Sequence, residues 1–174
     1  MIKEDAAISK NILYCTQSNS LGLFNDFNND ISHKINIKNT AFIVADLYNY
    51  KNWIQKNPNF EENKFILKEW EVTSKKSAST DIQKLKSYED MLGVDPGIFG
   101  AIVADRRLLM GINSSITQDY RRRFSDKELM SILLTALERV EHMFNVNKPD
   151  ILLGFISVTL LDYLAYLFAK ARGI

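Results

Sequence analysis

Lys148-Pro149-Asp150-Ile151-Leu152-Leu153-Gly154-Phe155-Ile156-Ser157-Val158-Thr159-Leu160 is the stretch on which the fold turns. A helical pattern opened by Ser125 runs into it, and a second runs from Leu160 to Ala171. A short apolar run, Ile151 to Ile156, between two helical patterns reads as a buried strand in a strand–helix alternation. Arg172-Gly173-Ile174 is the usual hand-over from such a helix into a further strand. The expectation is therefore an open α/β sheet that stops in mid-alternation, and such sheets bind ligands at the carboxyl ends of their strands.

The same stretch admits a membrane reading. Ile151 to Ala169 is almost continuously apolar and about long enough to span a bilayer, and Lys170 and Arg172 follow it as in a tail anchor. Asp162 near its middle would be costly there, and Gly154, Ser157 and Thr159 interrupt it. A buried strand followed by a buried helix explains the same residues.

Upstream the alternation repeats. Asn11 to Thr16 is a strand-type run, and Leu21, Phe24, Phe27, Asn28, Ile31 and Ile35 fall at helical spacing behind the polar turn Gln17-Ser18-Asn19-Ser20. Ser18 or Ser20 is expected to cap that helix. Thr40 to Ala45 is a second buried strand, Asp46 follows, and Tyr50, Trp53 and Ile54 share one face of a short helix ended at Asn57-Pro58-Asn59. Lys64 to Val72 reads as a third, half-exposed strand. Thr73 to Thr80 is a polar loop. Asp81 to Leu92 is helical and Gly93 stops it. Asp95-Pro96 starts another helix, with Asp105-Arg106-Arg107 near its end. Ser125-Asp126-Lys127-Glu128 is a capping box, and behind it Leu129, Ile132, Leu133, Ala136, Leu137, Val140 and Phe144 repeat at helical spacing. Strands alternating with helices predict a Rossmann-like parallel sheet flanked by helices, one domain over residues 1–174.

Composition narrows the function classes. Hydrophobic residues make up 46% and charged residues 25% of the 174 residues, an ordinary globular balance. A net charge of +1 gives no global argument for nucleic acid or anionic membranes, and the arginine clusters lack the interleaved aromatics of a single-strand platform. Cys15 is the one cysteine, which excludes an intrachain disulfide and reads as a buried thiol. The N-terminus is no secretory signal, so a cytoplasmic address is expected. No zinc set can be assembled from Cys15, His33 and His142, and no cofactor is called for.

Each candidate site residue has a structural reading beside the chemical one. Gln17-Ser18-Asn19-Ser20 opens a helix after a strand, where backbone N–H groups attract phosphate or carboxylate. Yet Gly22 is alone where a dinucleotide fingerprint needs three glycines, and no Lys-Ser or Lys-Thr phosphate cradle is present. Asp105, Arg106, Arg107, Arg121 and Arg122 could receive a phosphorylated or carboxylated ligand, or form a solvated surface. Ser157 and Thr159 could bind a sugar or phosphate, or cap the helix from Leu160. Asp46 and Asp105 could act as general bases in a cleft. A receiver domain fails, because the first strand ends in Thr16-Gln17-Ser18 where an acidic pair is needed. No Gly-x-Ser-x-Gly elbow appears.

Ala104-Asp105-Arg106-Arg107, the aromatic-basic segment Tyr120 to Phe124, the long helix ending at Phe144, Lys148-Pro149-Asp150 before an apolar strand, and the closing Ala171-Arg172-Gly173-Ile174 together resemble bacterial capsule and surface-polysaccharide biosynthesis proteins. These are GT-B-like two-domain glycosyltransferases or their close relatives. The resemblance covers about the last 70 residues, by sequence position. Lys-Pro-Asp before a strand also occurs in sugar-nucleotide epimerases, from which Gly154-Phe155-Ile156-Ser157 departs. The resemblance implies the N-terminal, acceptor-side half of a larger protein, taking a glycan or lipid-linked sugar acceptor. A nucleotide-sugar donor would be held only by a second domain. It implies a place in the cytoplasm, at the inner face of the membrane if the association is peripheral. The basic residues would face an acidic glycan, a lipid head group or donor phosphates. A non-catalytic module for a phosphorylated or acidic ligand is the alternative, and an epimerase-like domain a further one.

Overall fold

The structure is a computed structural model that describes residues 9–74, 80–94, 97–110 and 123–174. Four strands form one all-parallel sheet: β1 (Lys10–Thr16), β2 (Ile37–Val44), β3 (Phe65–Lys68) and β4 (Ile151–Gly154), in the order β3-β2-β1-β4. Ile12 pairs with Thr40 on one side and Ile151 on the other. The α/β, Rossmann-like reading of the sequence therefore stands. β1 is central, and Ile12, Leu13, Tyr14 and Cys15 are all buried, as expected of a strand covered on both faces.

Alternation along the strands splits the core. Ile12, Tyr14, Phe42 and Val44 point to the layer of α1 (Ser20–Ser32) and α2 (Leu47–Lys56). Leu13, Cys15, Ala41 and Ile43 point to the larger layer. Here α4 (Ile82–Leu92), α5 (Gly100–Ala104), α7 (Asp126–Asn147) and α8 (Leu160–Ala171) pack together. The remaining helices, α3 (Glu69–Thr73) and α6 (Arg106–Met110), are one turn long and lie beside the carboxyl ends of the strands. α7 starts at a complete capping box, with Ser125 and Glu128 bonded to each other's backbone N–H. Lys148 ends it in a left-handed conformation, φ 45°. Asp81 caps α4, and Gly93 stops it at φ 60°, the stop the sequence reading requires.

Three local expectations change. The third strand stops at Lys68, and Glu69 to Thr73 turn into a helix. Asp105 does not lie inside one long helix but in extended backbone between α5 and α6; Asp95 and Pro96, where that helix was to start, lie outside the described residues, as do residues 75–79 of the polar loop. Neither Ser18 nor Ser20 caps α1. Asn19 holds the cap position without a side-chain bond, and the Ser20 hydroxyl closes the turn on Gln17 instead. Gly22 serves packing: a Cβ there would lie 2.7 Å from the Trp53 ring, so α1 and α2 approach closely only with glycine at this point. Among the described residues, no helix is long and apolar enough to cross a membrane.

Candidate functional site

Because the strands are parallel, Gln17, Ala45, Glu69 and the loop after Gly154 all emerge at one end of the sheet. Asp105 joins them from the α5–α6 junction, and Thr159 and Asp162 from the start of α8. Glu69, Asp105 and Asp162 are 4%, 2% and 3% exposed. Among the described residues, these three buried acids gather beside the Arg107 guanidinium.

The Nε of Arg107 donates to Asp105 Oδ1 at 3.0 Å, its Nη2 to Asp105 Oδ2 at 2.7 Å and also to Glu69, and its Nη1 to the Ala45 carbonyl at 3.2 Å. Asp105 further accepts the backbone N–H of Arg107 at 3.0 Å and of Leu160 at 3.2 Å, tying α6 to the start of α8. Gln17 closes the gap between β1 and β4: its Nε2 donates to Asp162 Oδ2 at 2.6 Å and to the Ile156 carbonyl at 2.8 Å. Thr159 caps α8 by accepting the Asp162 N–H at 3.4 Å. Yet among the described residues Glu69 Oε2 and Asp162 Oδ1 are buried without a hydrogen-bond partner. Such orphan groups are costly.

Burial raises the Glu69 carboxyl from 4.5 to about 8; Arg107 and the nearby Thr159 hydroxyl pull it down, and Asp105 and Asp162 push it up. Burial likewise lifts Asp162 to about 6, against the hydrogen bonds from Gln17 and Thr159. Burial pulls Arg107 downward, but its bonds to Asp105 and Glu69 outweigh this and hold it firmly charged. Burial, with Asp162 adding to it, pushes the Cys15 thiol well up, which makes it inert. Glu69 thus titrates near neutrality and can give or take a proton where it sits.

Beside the cluster lies a cavity of about 690 Å³, with Glu69, Asp105 and Arg107 in its wall and Tyr48, Trp70 and Arg123 around them. Tyr48 is 74% exposed, whereas Trp70 is fixed by its ring contact with Tyr50 at 5.3 Å. Among the described residues, Asp46, Glu69, Glu71 and Asp105 line the cavity against Arg107 and Arg123, so acids outnumber cations. These acids do not form a metal-holding group.

Of the residues singled out in the sequence, Asp105, Arg107, Gln17 and Thr159 come together here. Ser157 is half-buried in the loop before α8, and Arg106, Ser18 and Asn19 are exposed. Ser20 is buried and engaged with Gln17. Arg121 and Arg122 lie outside the described residues. Asp46 lines the cavity while capping α2 through the Asn49 N–H at 2.9 Å. Sequence reasoning missed Glu69, Asp162 as a site residue, and Trp70. At Glu69 the local signal was weak, since Lys68 separates the acid from the apolar Phe65-Ile66-Leu67 run and the alternation continues through it.

The chain matches no protein-family model, and no curated protein or solved structure is similar to it at a significant level.

Proposed function

We propose that this chain is a glycan-binding α/β domain that serves the acceptor side of a surface-polysaccharide glycosyltransferase. The observation that carries the reading is the cavity at the carboxyl ends of the strands. It combines aromatic rings at Tyr48 and Trp70 with buried carboxyls at Glu69 and Asp105. Sugars need this pairing: an apolar face for their C–H surface and polar groups, few and fixed, for their hydroxyls. Asp105 and Arg107, part of the stretch that resembles polysaccharide-biosynthesis proteins, stand in this wall, which supports the reading. In that role Glu69 takes the proton of an acceptor hydroxyl when ionised, being a stronger base than an exposed carboxylate. Asp105 and Arg107 hold it in place.

The rival reading, a module for phosphorylated or acidic ligands, leans on Arg106, Arg107, Arg121 and Arg122. Arg107 already gives Nε, Nη1 and Nη2 to protein acceptors, and among the described residues Asp46, Glu69, Glu71 and Asp105 outnumber Arg107 and Arg123 in the cavity wall. The geometry therefore favours a neutral or cationic sugar over an acidic one. Thermal-shift titration separates the two: neutral oligosaccharides should raise the melting temperature by mass action, and inorganic phosphate should not. Stabilisation by phosphate alone would reverse the choice. The 174-residue chain by itself is expected not to turn over a nucleotide-sugar.

A further inference from the structure

We infer that a cleft at the amino end of β3 is a second glycan site, and that the sugar it takes carries an N-acetyl group. The cleft measures about 350 Å³, at the small end of the range for ligand pockets. Lys64 borders it just before β3 begins, whereas Glu69 and the cavity lie past the strand's other end. Asn25 and Asn29 come to it from α1, and Asn57 and Asn59 from the loop after α2. As a site the cleft is separate from the cavity; only the choice of a sugar amide over a peptide amide rests on the glycan reading.

Both sides of the cleft are built in advance. Asn25 and Asn29 stand four positions apart and so share a face of the helix. Asparagine is a weak helix former, so two of them inside α1 run against local preference, and such conflicts are expected at functional positions. The loop is pinned by Phe60, which is buried with its ring T-shaped to Phe42 at 5.1 Å and to Trp53 at 6.2 Å. The Phe60 N–H donates to the Asn57 carbonyl at 3.0 Å, the Glu62 N–H to that of Asn59 at 3.1 Å, and Asn57 Nδ2 to the Trp53 carbonyl at 3.0 Å. Among the described residues, the side chains of Asn25, Asn29 and Asn59 have no protein partner. A ligand takes them without breaking a bond or ordering the loop.

Carboxamides decide the ligand class. Each offers a C=O acceptor and N–H donors in one plane. An acetamido group presents the same two functions, so two amides join through a pair of hydrogen bonds that a single hydroxyl does not match. The sugar's hydroxyls suit the remaining carboxamides, and Pro58 and Phe60 give the acetyl methyl an apolar surface. Charge points the same way. Among the described residues of the lining, Lys64 alone is charged, its ammonium 4.9 Å from the Phe60 ring centre, and it opposes a free amine. Asp26, Asp30 and Glu62, exposed beside lining residues in the chain, oppose an anion, while Glu61 is held by Lys68 at 2.8 Å. An uncharged amide meets neither penalty.

Three β-1,4-linked tetrasaccharides test this, one of N-acetylglucosamine, one of glucosamine and one of glucose, each titrated into the isotope-labelled chain. The side-chain NH2 resonances of Asn25, Asn29 and Asn59 and the indole N–H of Trp70 are followed together by NMR. The N-acetylglucosamine oligomer should shift the three carboxamides and bind there at least about fivefold tighter than the other two, as one net hydrogen bond gives. Combining Asn25→Ala with Asn29→Ala should abolish the shift at Asn59 without lowering the melting temperature, since alanine is the better helix former. A preference that survives in this double variant overturns the cleft. So does a Trp70 shift with silent carboxamides, which leaves the glycan reading of the cavity in place. Carboxamide shifts with Trp70 silent for every oligomer uphold the cleft and remove that reading of the cavity. Equal affinity of the carboxamides for the three oligomers overturns the N-acetyl assignment, and equal shifts from a tetra-alanine peptide blocked at both ends overturn the sugar in favour of a peptide.

Discussion

Arg107 and Asp105, two positions apart, meet side chain to side chain: Nε stands 3.0 Å from Oδ1 and Nη2 2.7 Å from Oδ2. This fork is possible because Asp105 sits in extended backbone between two short helices, which turns both side chains inward. It fixes the Arg107 guanidinium and, through the Leu160 N–H, ties α6 to the start of α8.

Arg107→Ala should therefore destabilise more than a surface change. It strands two carboxyls in the interior, and breaking a fully buried pair costs about 3–5 kcal/mol. Arg107 is 40% exposed, so water recovers part of this, and a loss of about 2–3 kcal/mol is expected. Arg107→Lys should lose about half as much, because an ammonium cannot fork. Denaturant midpoints measure both, and equal midpoints for Arg107→Ala and the parent would show that the fork adds nothing.

Glu69 makes stability fall as the solution becomes more alkaline. Its carboxyl titrates at about 8 when folded, against 4.5 ordinarily. Below the lower value both states are protonated. Between the two values the unfolded chain has released the proton and the folded chain still holds it, so folding is penalised increasingly as pH rises. Asp162 adds the same trend between 3.8 and about 6. Glu69→Gln mimics the protonated form and should raise stability at pH 8 by about 1–3 kcal/mol with little change at pH 5. Melting curves at the two pH values check this; a larger gain at pH 5 would contradict it.

How much of this was legible beforehand follows from what each signal needs. The strand–helix alternation was readable because β1 and β2 are buried on both faces and so appear as unbroken apolar runs. The caps at Ser125 and Thr159 were readable because capping is local. Glu69 was hidden because Phe65-Ile66-Leu67-Lys68-Glu69-Trp70 keeps an alternation that fits a longer strand, and only the neighbours of Trp70 and Val72 turn it into helix. The meeting of Gln17 with Asp162, 145 positions away, has no local signal. It follows from the strand order, which sets β4 beside β1.

Thr159→Ala should cost about 1 kcal/mol through the lost cap of α8. It also removes a hydroxyl that holds Glu69 and Asp162 down, so the pH dependence should steepen. Thr159→Ser should restore both. A cap loss without any change in pH dependence would place the hydroxyl outside the carboxyl cluster.

Trp70→Ala should weaken glycan binding by about tenfold, since an aromatic anchor is worth about 1–2 kcal/mol, and Tyr48→Ala, at the exposed rim, should do less. Both sit outside the buried cluster of acids, so circular dichroism at neutral pH should show the fold retained. Unchanged affinity in Trp70→Ala would remove the aromatic wall from the account.

The most direct test of the glycan reading uses the chain's two tryptophans. Trp70 lines the cavity, while Trp53 packs on Gly22 and Phe60 away from it. Titrating the glucose or glucosamine tetrasaccharide while following the two indole N–H resonances by NMR should shift Trp70 and leave Trp53 in place. A shift confined to Trp53, or none at either ring up to millimolar oligosaccharide, would contradict the account.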